Sequence, residues 1–153
     1  MLNIGDKIPA ILGHDAQGVL ITSDMFLGKP LIIYFYPKDN TPGCTAEACS
    51  LRDGYGMLQQ RGFALIGVSK DSEASHKKFA EKHTLPFPLI ADTDTTLNQA
   101  FGVWQKKKMA GHEYMGTVRT TFITNVDHII THVITKVDTK NSAAQILKTI
   151  AGG

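Results

Sequence analysis

Leu31-Ile32-Ile33-Tyr34-Phe35-Tyr36, then Pro37, then Thr41-Pro42-Gly43-Cys44-Thr45-Ala46-Glu47-Ala48-Cys49, is the stretch that decides how this chain is read. Its first six residues form an unbroken apolar run, the pattern of a strand covered on both faces. Pro37 ends the run because proline cannot donate to a ladder. Onward from Cys44, the residues Ala48, Leu51, Tyr55 and Leu58 recur along one helical face, and Gly62 is a natural stop. The pattern predicts a buried strand leading into a helix that begins near Cys44. Free amides and the helix dipole favour an anion at that end, which draws a thiol toward its thiolate. A small buried hydrophobe is the alternative reading of Cys44, and position alone does not separate the two.

Outward from this stretch the chain alternates. Residues 4–21 read as short extended pieces around a turn at Asp15-Ala16-Gln17-Gly18, and a short helix runs from an N-cap at Ser23 to Gly28. Phe63 to Val68 is a second buried strand. A helix capped by Asp71 or Ser72 follows, running to about His83 with Phe79 and Ala80 inward. Pro86 to Ile90 is a short strand and Leu97 to Phe101 a short helix. Residues 102–116, with three glycines and the single Trp104, read as a loop-rich insertion. Val118 to Thr124 and Ile129 to Ile134 are strands joined by a turn at Asn125-Val126-Asp127-His128, and Asn141 caps a last helix with Ala144, Ile146, Leu147 and Ile150 apolar. This order predicts an α/β fold: a thioredoxin-like, central mixed β-sheet flanked by helices, with an N-terminal extension. No linker divides the chain, so residues 1–153 are expected to form a single domain.

Composition narrows the function. Hydrophobic residues at 42% argue against disorder, and a formal net charge of +2 is too small to mark a nucleic-acid or membrane surface. Lys106-Lys107-Lys108 reads as a solvated loop. The first residues lack the charged and apolar regions of a secretory leader, and no apolar run approaches the ~20 residues of a membrane span. A cytoplasmic protein is expected. Two cysteines are too few for a disulfide scaffold in such a chain and point to redox work or to none.

Several segments together resemble the peroxiredoxins, in particular the peroxiredoxin Q or bacterioferritin comigratory protein branch. They are Tyr34-Phe35-Tyr36-Pro37-Lys38-Asp39, Thr41-Pro42-Gly43-Cys44-Thr45, Gly67-Val68-Ser69-Lys70-Asp71-Ser72, His76-Lys77-Lys78-Phe79, Pro86-Phe87-Pro88-Leu89 and Arg119-Thr120-Thr121-Phe122. The resemblance implies a thioredoxin-dependent peroxidase acting on hydrogen peroxide and organic hydroperoxides in antioxidant defence. Cys44 would be the peroxidatic cysteine, Thr41 the peroxide-orienting hydroxyl, Cys49 the resolving cysteine, and Glu47 a carboxylate that positions Arg119. It also implies no cofactor, a thioredoxin or similar dithiol as reductant, and a monomer.

Physical chemistry sets the weight of each part. Lowering a thiol pKa from ~8.5 to ~6 raises the thiolate fraction at neutral pH about thirtyfold, worth only ~2 kcal/mol of barrier. Larger accelerations need donors on the departing oxygen. Arg119 suits that task, since guanidinium stays charged and presents donors in a fixed fork; on the predicted strand it shares a face with Thr121 and Ile123. Glu47 also fits a plain first-turn carboxylate. Five helical residues separate the Cys44 and Cys49 Cα atoms by about 8.7 Å, beyond the roughly 7 Å that a disulfide tolerates. An intact helix therefore keeps the two apart. Gly54 and Gly56 weaken that helix or admit close packing.

His128 and His132 share a predicted strand face, but nothing completes a recognised zinc spacing, and no metal is expected. His76 and His83 read as exposed helix residues. A thioredoxin-like disulfide exchanger is the main rival, yet it needs Cys-x-x-Cys and a cis-proline that this chain lacks. A non-catalytic redox binding module on the same fold is the third reading.

Overall fold

A computed structural model describes residues 1–152 of the chain. Strand β3 (Leu31–Phe35) is the centre, buried along its whole length. It pairs in parallel with β4 (Ala64–Ser69), and β4 in parallel with β5 (Leu89–Ala91). On its other side lies antiparallel β8 (Thr120–Thr124), followed by antiparallel β9 (Ile130–Ile134), giving the order β5-β4-β3-β8-β9. The expected mixed sheet is therefore present.

Alternation along β3 feeds two cores. Ile32 and Tyr34 face α1 (Pro42–Gln60), α2 (Glu73–His83) and α4 (Ser142–Ala151), meeting Ala48, Leu51, Leu58, Phe79 and Ile146. Leu31, Ile33 and Phe35 face the other way, against Phe101 and Leu97 of α3 (Thr96–Phe101) and against Leu12 and Ile21 of the small hairpin β1 (Ile11–His14) and β2 (Leu20–Thr22). This double coverage is what the unbroken apolar run called for.

Helix α1 starts two residues before Cys44. Pro42 takes the first helical position, where its missing N–H costs nothing, and Thr41 is the N-cap. Gly62, at φ 85°, supplies the left-handed turn that stops it. Ser72 caps α2, its hydroxyl accepting from Ser75 N at 3.1 Å.

Several expectations need correction. Thr22, not Ser23, caps a single 3-10 turn over Ser23–Phe26. The strand expected at Pro86 to Ile90 is shifted to Leu89–Ala91. In α4 the buried apolar positions are Ala143 and Ile146, beside buried Ser142, and Ala144 is exposed. Residues 102–116 are not a loop: β6 (Trp104–Met109) and β7 (His112–Thr117) form a paired ribbon. Most of its side chains are exposed on both faces, so no alternation marks it. Its two-residue turn, Ala110-Gly111, takes positive φ at both residues, the twist that hairpins favour. In the turn at Asn125-Val126-Asp127-His128 the left-handed position is taken by His128, at φ 61°. His128 thus lies in the turn, its Nε2 3.0 Å from Phe26 O, and does not share a strand face with His132.

The two helix glycines differ. A Cβ at Gly54 would overlap the Ala143 Cβ, so this glycine lets α1 and α4 approach, whereas a Cβ at Gly56 meets nothing. Gly54→Ala is expected to destabilise the fold by about 1–3 kcal/mol through overpacking. Gly56→Ala should stabilise it by up to ~1 kcal/mol by removing a helix-interior glycine. Denaturant melts of the two variants check this, and shifts of the same sign would refute it.

Candidate active site

Cys44 sits at the third helical position of α1, 2% exposed. The strand expected to carry Arg119 begins only at Thr120, so Arg119 lies in the break between β7 and β8 rather than on a strand face. That break turns its side chain across to α1. Nη2 donates to Cys44 Sγ at 3.2 Å, and Nη1 donates to Glu47 Oε1 at 2.8 Å. Gly43 allows the approach: a Cβ there would stand 3.3 Å from Arg119 Nη2.

Glu47 is fully buried and is more than a first-turn carboxylate. Burial pushes its pKa up to about 7, against the pull of the adjacent Arg119. Burial works against the Arg119 charge too, but Cys44 and Glu47 outweigh it and hold the guanidinium above its ordinary value. Glu47 thus changes charge near neutrality while its partner stays cationic.

Thr41 stands one turn before Cys44, its hydroxyl donating to Lys38 O at 2.9 Å. Its hydroxyl bonds neither Cys44 nor Arg119. Cys49 is a free, half-buried thiol farther along the same unbroken helix. Of the five candidate residues, three are in direct contact, Thr41 caps the helix that carries Cys44, and Cys49 stands apart.

Beside the site lies a polar network that the sequence did not announce. His76 is fully buried, not exposed, with Nδ1 2.7 Å from Asp39 Oδ2 and Nε2 2.9 Å from Ile90 O. Tyr36 Oη and Ser75 Oγ also donate to Asp39, at 2.7 and 2.8 Å. Burial raises the Asp39 carboxyl, but these bonds outweigh it and hold it below its usual range. Asp39 N in turn donates to Asp71 Oδ2 at 2.9 Å, tying the loop before Thr41 to the start of α2. Asp39, Asp71 and His76 lie within 4.8 Å of one another, yet each is already engaged by protein donors and acceptors. The quoted motifs contain these residues, but their mutual contact shows only in three dimensions. His83, also read as exposed, is partly covered and faces Cys49.

A cysteine held by a guanidinium at a helix N-terminus, beside a thioredoxin-like sheet, defines a class of thiol-based redox proteins. The model described as the AhpC/TSA family matches residues 4–133, and the chain belongs to that family. Peroxiredoxin Bcp of Bacillus subtilis is 41% identical over 149 residues, covering 97% of this chain and 95% of the relative. A putative peroxiredoxin bcp of Coxiella burnetii is 38% identical over 146 residues, 95% of this chain and 97% of that one. The bacterioferritin comigratory protein of Xanthomonas campestris, in a structure described by its alkyl peroxide reduction activity, superposes with a TM-score of 0.88 at 32% identity over 98% of each chain. Among the described residues, no helix is long and apolar enough to cross a membrane.

Proposed function

We propose that this protein is a thiol-dependent peroxidase that reduces hydrogen peroxide and organic hydroperoxides at Cys44 and forms a Cys44–Cys49 disulfide. Thioredoxin or a similar dithiol then reduces that disulfide, in the cytoplasm and on a monomer. The observation that carries the reading is the guanidinium of Arg119, 3.2 Å from Cys44 Sγ and anchored from behind by Glu47. An anchored cation beside the sulfur stabilises the thiolate and, as the reaction proceeds, the oxygen that leaves.

In the first step the Cys44 thiolate attacks one peroxide oxygen. The S–O bond forms, the O–O bond breaks, and the departing oxygen takes a proton and leaves as water or an alcohol. Cys44 becomes a sulfenic acid. The Thr41 hydroxyl, three residues before Cys44 at the N-cap of α1, orients the peroxide. In the second step the Cys49 thiolate attacks the Cys44 sulfur, the S–S bond forms, and hydroxide leaves to become water. Because α1 runs unbroken through both cysteines, their Cα atoms are about 8.7 Å apart and the first turns must unwind before the bond closes. With Gly54 engaged in packing, Gly56 alone remains as a residue that eases melting.

Peroxide consumption measured with and without thioredoxin tests the overall reading. Mass spectrometry of the peroxide-treated protein should show one intramolecular Cys44–Cys49 link. A purely intermolecular link, or a sulfenic acid that persists, would overturn the two-cysteine scheme and leave a one-cysteine peroxidase.

A further inference from the structure

Cys49 has its own partner, well away from Arg119. Its Sγ lies 3.8 Å from Nδ1 of His83, the last residue of α2. Arg52 of α1 donates from Nη1 to the His83 carbonyl at 2.8 Å, locking the end of α2 against the helix that carries Cys49. The edge of the imidazole is set by Phe79, whose ring centre is 5.1 Å away. These contacts fix the ring with one nitrogen toward the thiol.

The charged groups around the ring are Lys82 on its own helix and Arg52 from α1, itself paired with Asp53 at 2.9 Å. Burial first, then Lys82 and Arg52, push the imidazole below its ordinary range. The ring is therefore a neutral base at neutral pH. With its proton on Nε2, Nδ1 presents a lone pair to the Cys49 thiol.

We propose that His83 Nδ1 takes the proton from the Cys49 thiol and so arms it to attack oxidised Cys44. The inference rests on the resolving role of Cys49 given above. The S–H bond breaks as the proton passes to Nδ1, leaving a thiolate between imidazolium and the nearby Arg52 cation. That thiolate forms the S–S bond to Cys44 as the S–O bond of the sulfenic acid breaks. Hydroxide leaves and is protonated by solvent, and His83 returns its proton to solvent. Because the Arg52 tie lies beyond Cys49, the first turns of α1 can open while the base stays in place. Deprotonation thus precedes unwinding, and the melted segment carries a ready nucleophile.

The test uses the single-thiol Cys44→Ser protein, in which only Cys49 reacts with iodoacetamide. At pH 7, adding His83→Gln should slow alkylation by roughly tenfold, the scale on which a neighbouring base changes thiolate supply. The difference should close near pH 10, where thiols ionise unaided, and added imidazole should restore part of the loss at pH 7. Equal alkylation rates with and without His83 from pH 6 to 8 would overturn the proposal. Slowed alkylation alongside a missing Cys44–Cys49 disulfide in oxidised wild type would uphold the base and overturn the resolving role instead. In the protein with both cysteines, His83→Gln should slow disulfide closure after peroxide treatment by a similar factor.

Discussion

Cys44→Ser is expected to bring peroxidase turnover to background, a loss of at least about a thousandfold. An alcohol at this position ionises far too weakly to replace a thiolate as nucleophile. The oxygen is smaller than sulfur and still finds the Arg119 guanidinium, so the fold should survive at a cost of about 1–2 kcal/mol. Peroxide consumption with excess reductant is the measurement, paired with a melt to show that the variant is folded. A folded Cys44→Ser protein that kept even a tenth of wild-type activity would place the chemistry elsewhere.

Arg119→Met should slow oxidation of Cys44 by roughly a hundred- to a thousandfold, the range seen when one preorganised donor to developing charge is removed. A stability effect comes with it, because the change also strips Glu47 of its cation. In the native protein the Glu47 pKa stands at about 7, above the 4.5 of an unperturbed carboxyl. The folded state therefore holds this proton more tightly than the unfolded state. That contribution is fully present below pH 4.5 and is lost as pH rises through about 7. Without Arg119 the carboxyl rises further and the loss continues to higher pH. Arg119→Met should then lose more stability than wild type between pH 6 and pH 8, by an amount approaching about 1.4 kcal/mol. Adding Glu47→Gln should remove the pH-dependent part and leave the oxidation defect. Normal oxidation kinetics in either Arg119 variant would show that the guanidinium does not act on peroxide.

Much of the frame was readable because its signals are local. The run Leu31 to Tyr36 is apolar without interruption, short and closed by Pro37, the pattern of a strand covered on both faces. The face through Ala48, Leu51, Tyr55 and Leu58, with Pro42 at one end and Gly62 at the other, marks α1 from residues a few positions apart. Cys44 at the start of that helix followed directly. The β6–β7 ribbon was missed for the converse reason: a hairpin solvated on both faces carries no alternation.

By itself the sequence determined the strand–helix frame, the mixed sheet and the position of Cys44 in the first turn of a buried helix. Tertiary structure alone decided how the polar side chains pair. Arg119 reaches Glu47 across 72 residues, and it does so from a break between strands rather than from a strand. His76 read as an exposed helix residue and is fully buried, because Asp39, 37 residues away, meets it. His83 faces Cys49 for the same kind of reason, and Gly54 proved to be a contact with Ala143 rather than a weak point. Helical and strand periodicities arise from backbone geometry over a few residues, so they are written locally. Burying a charge is tolerable only where a partner waits, and that partner is supplied by the packing of distant elements.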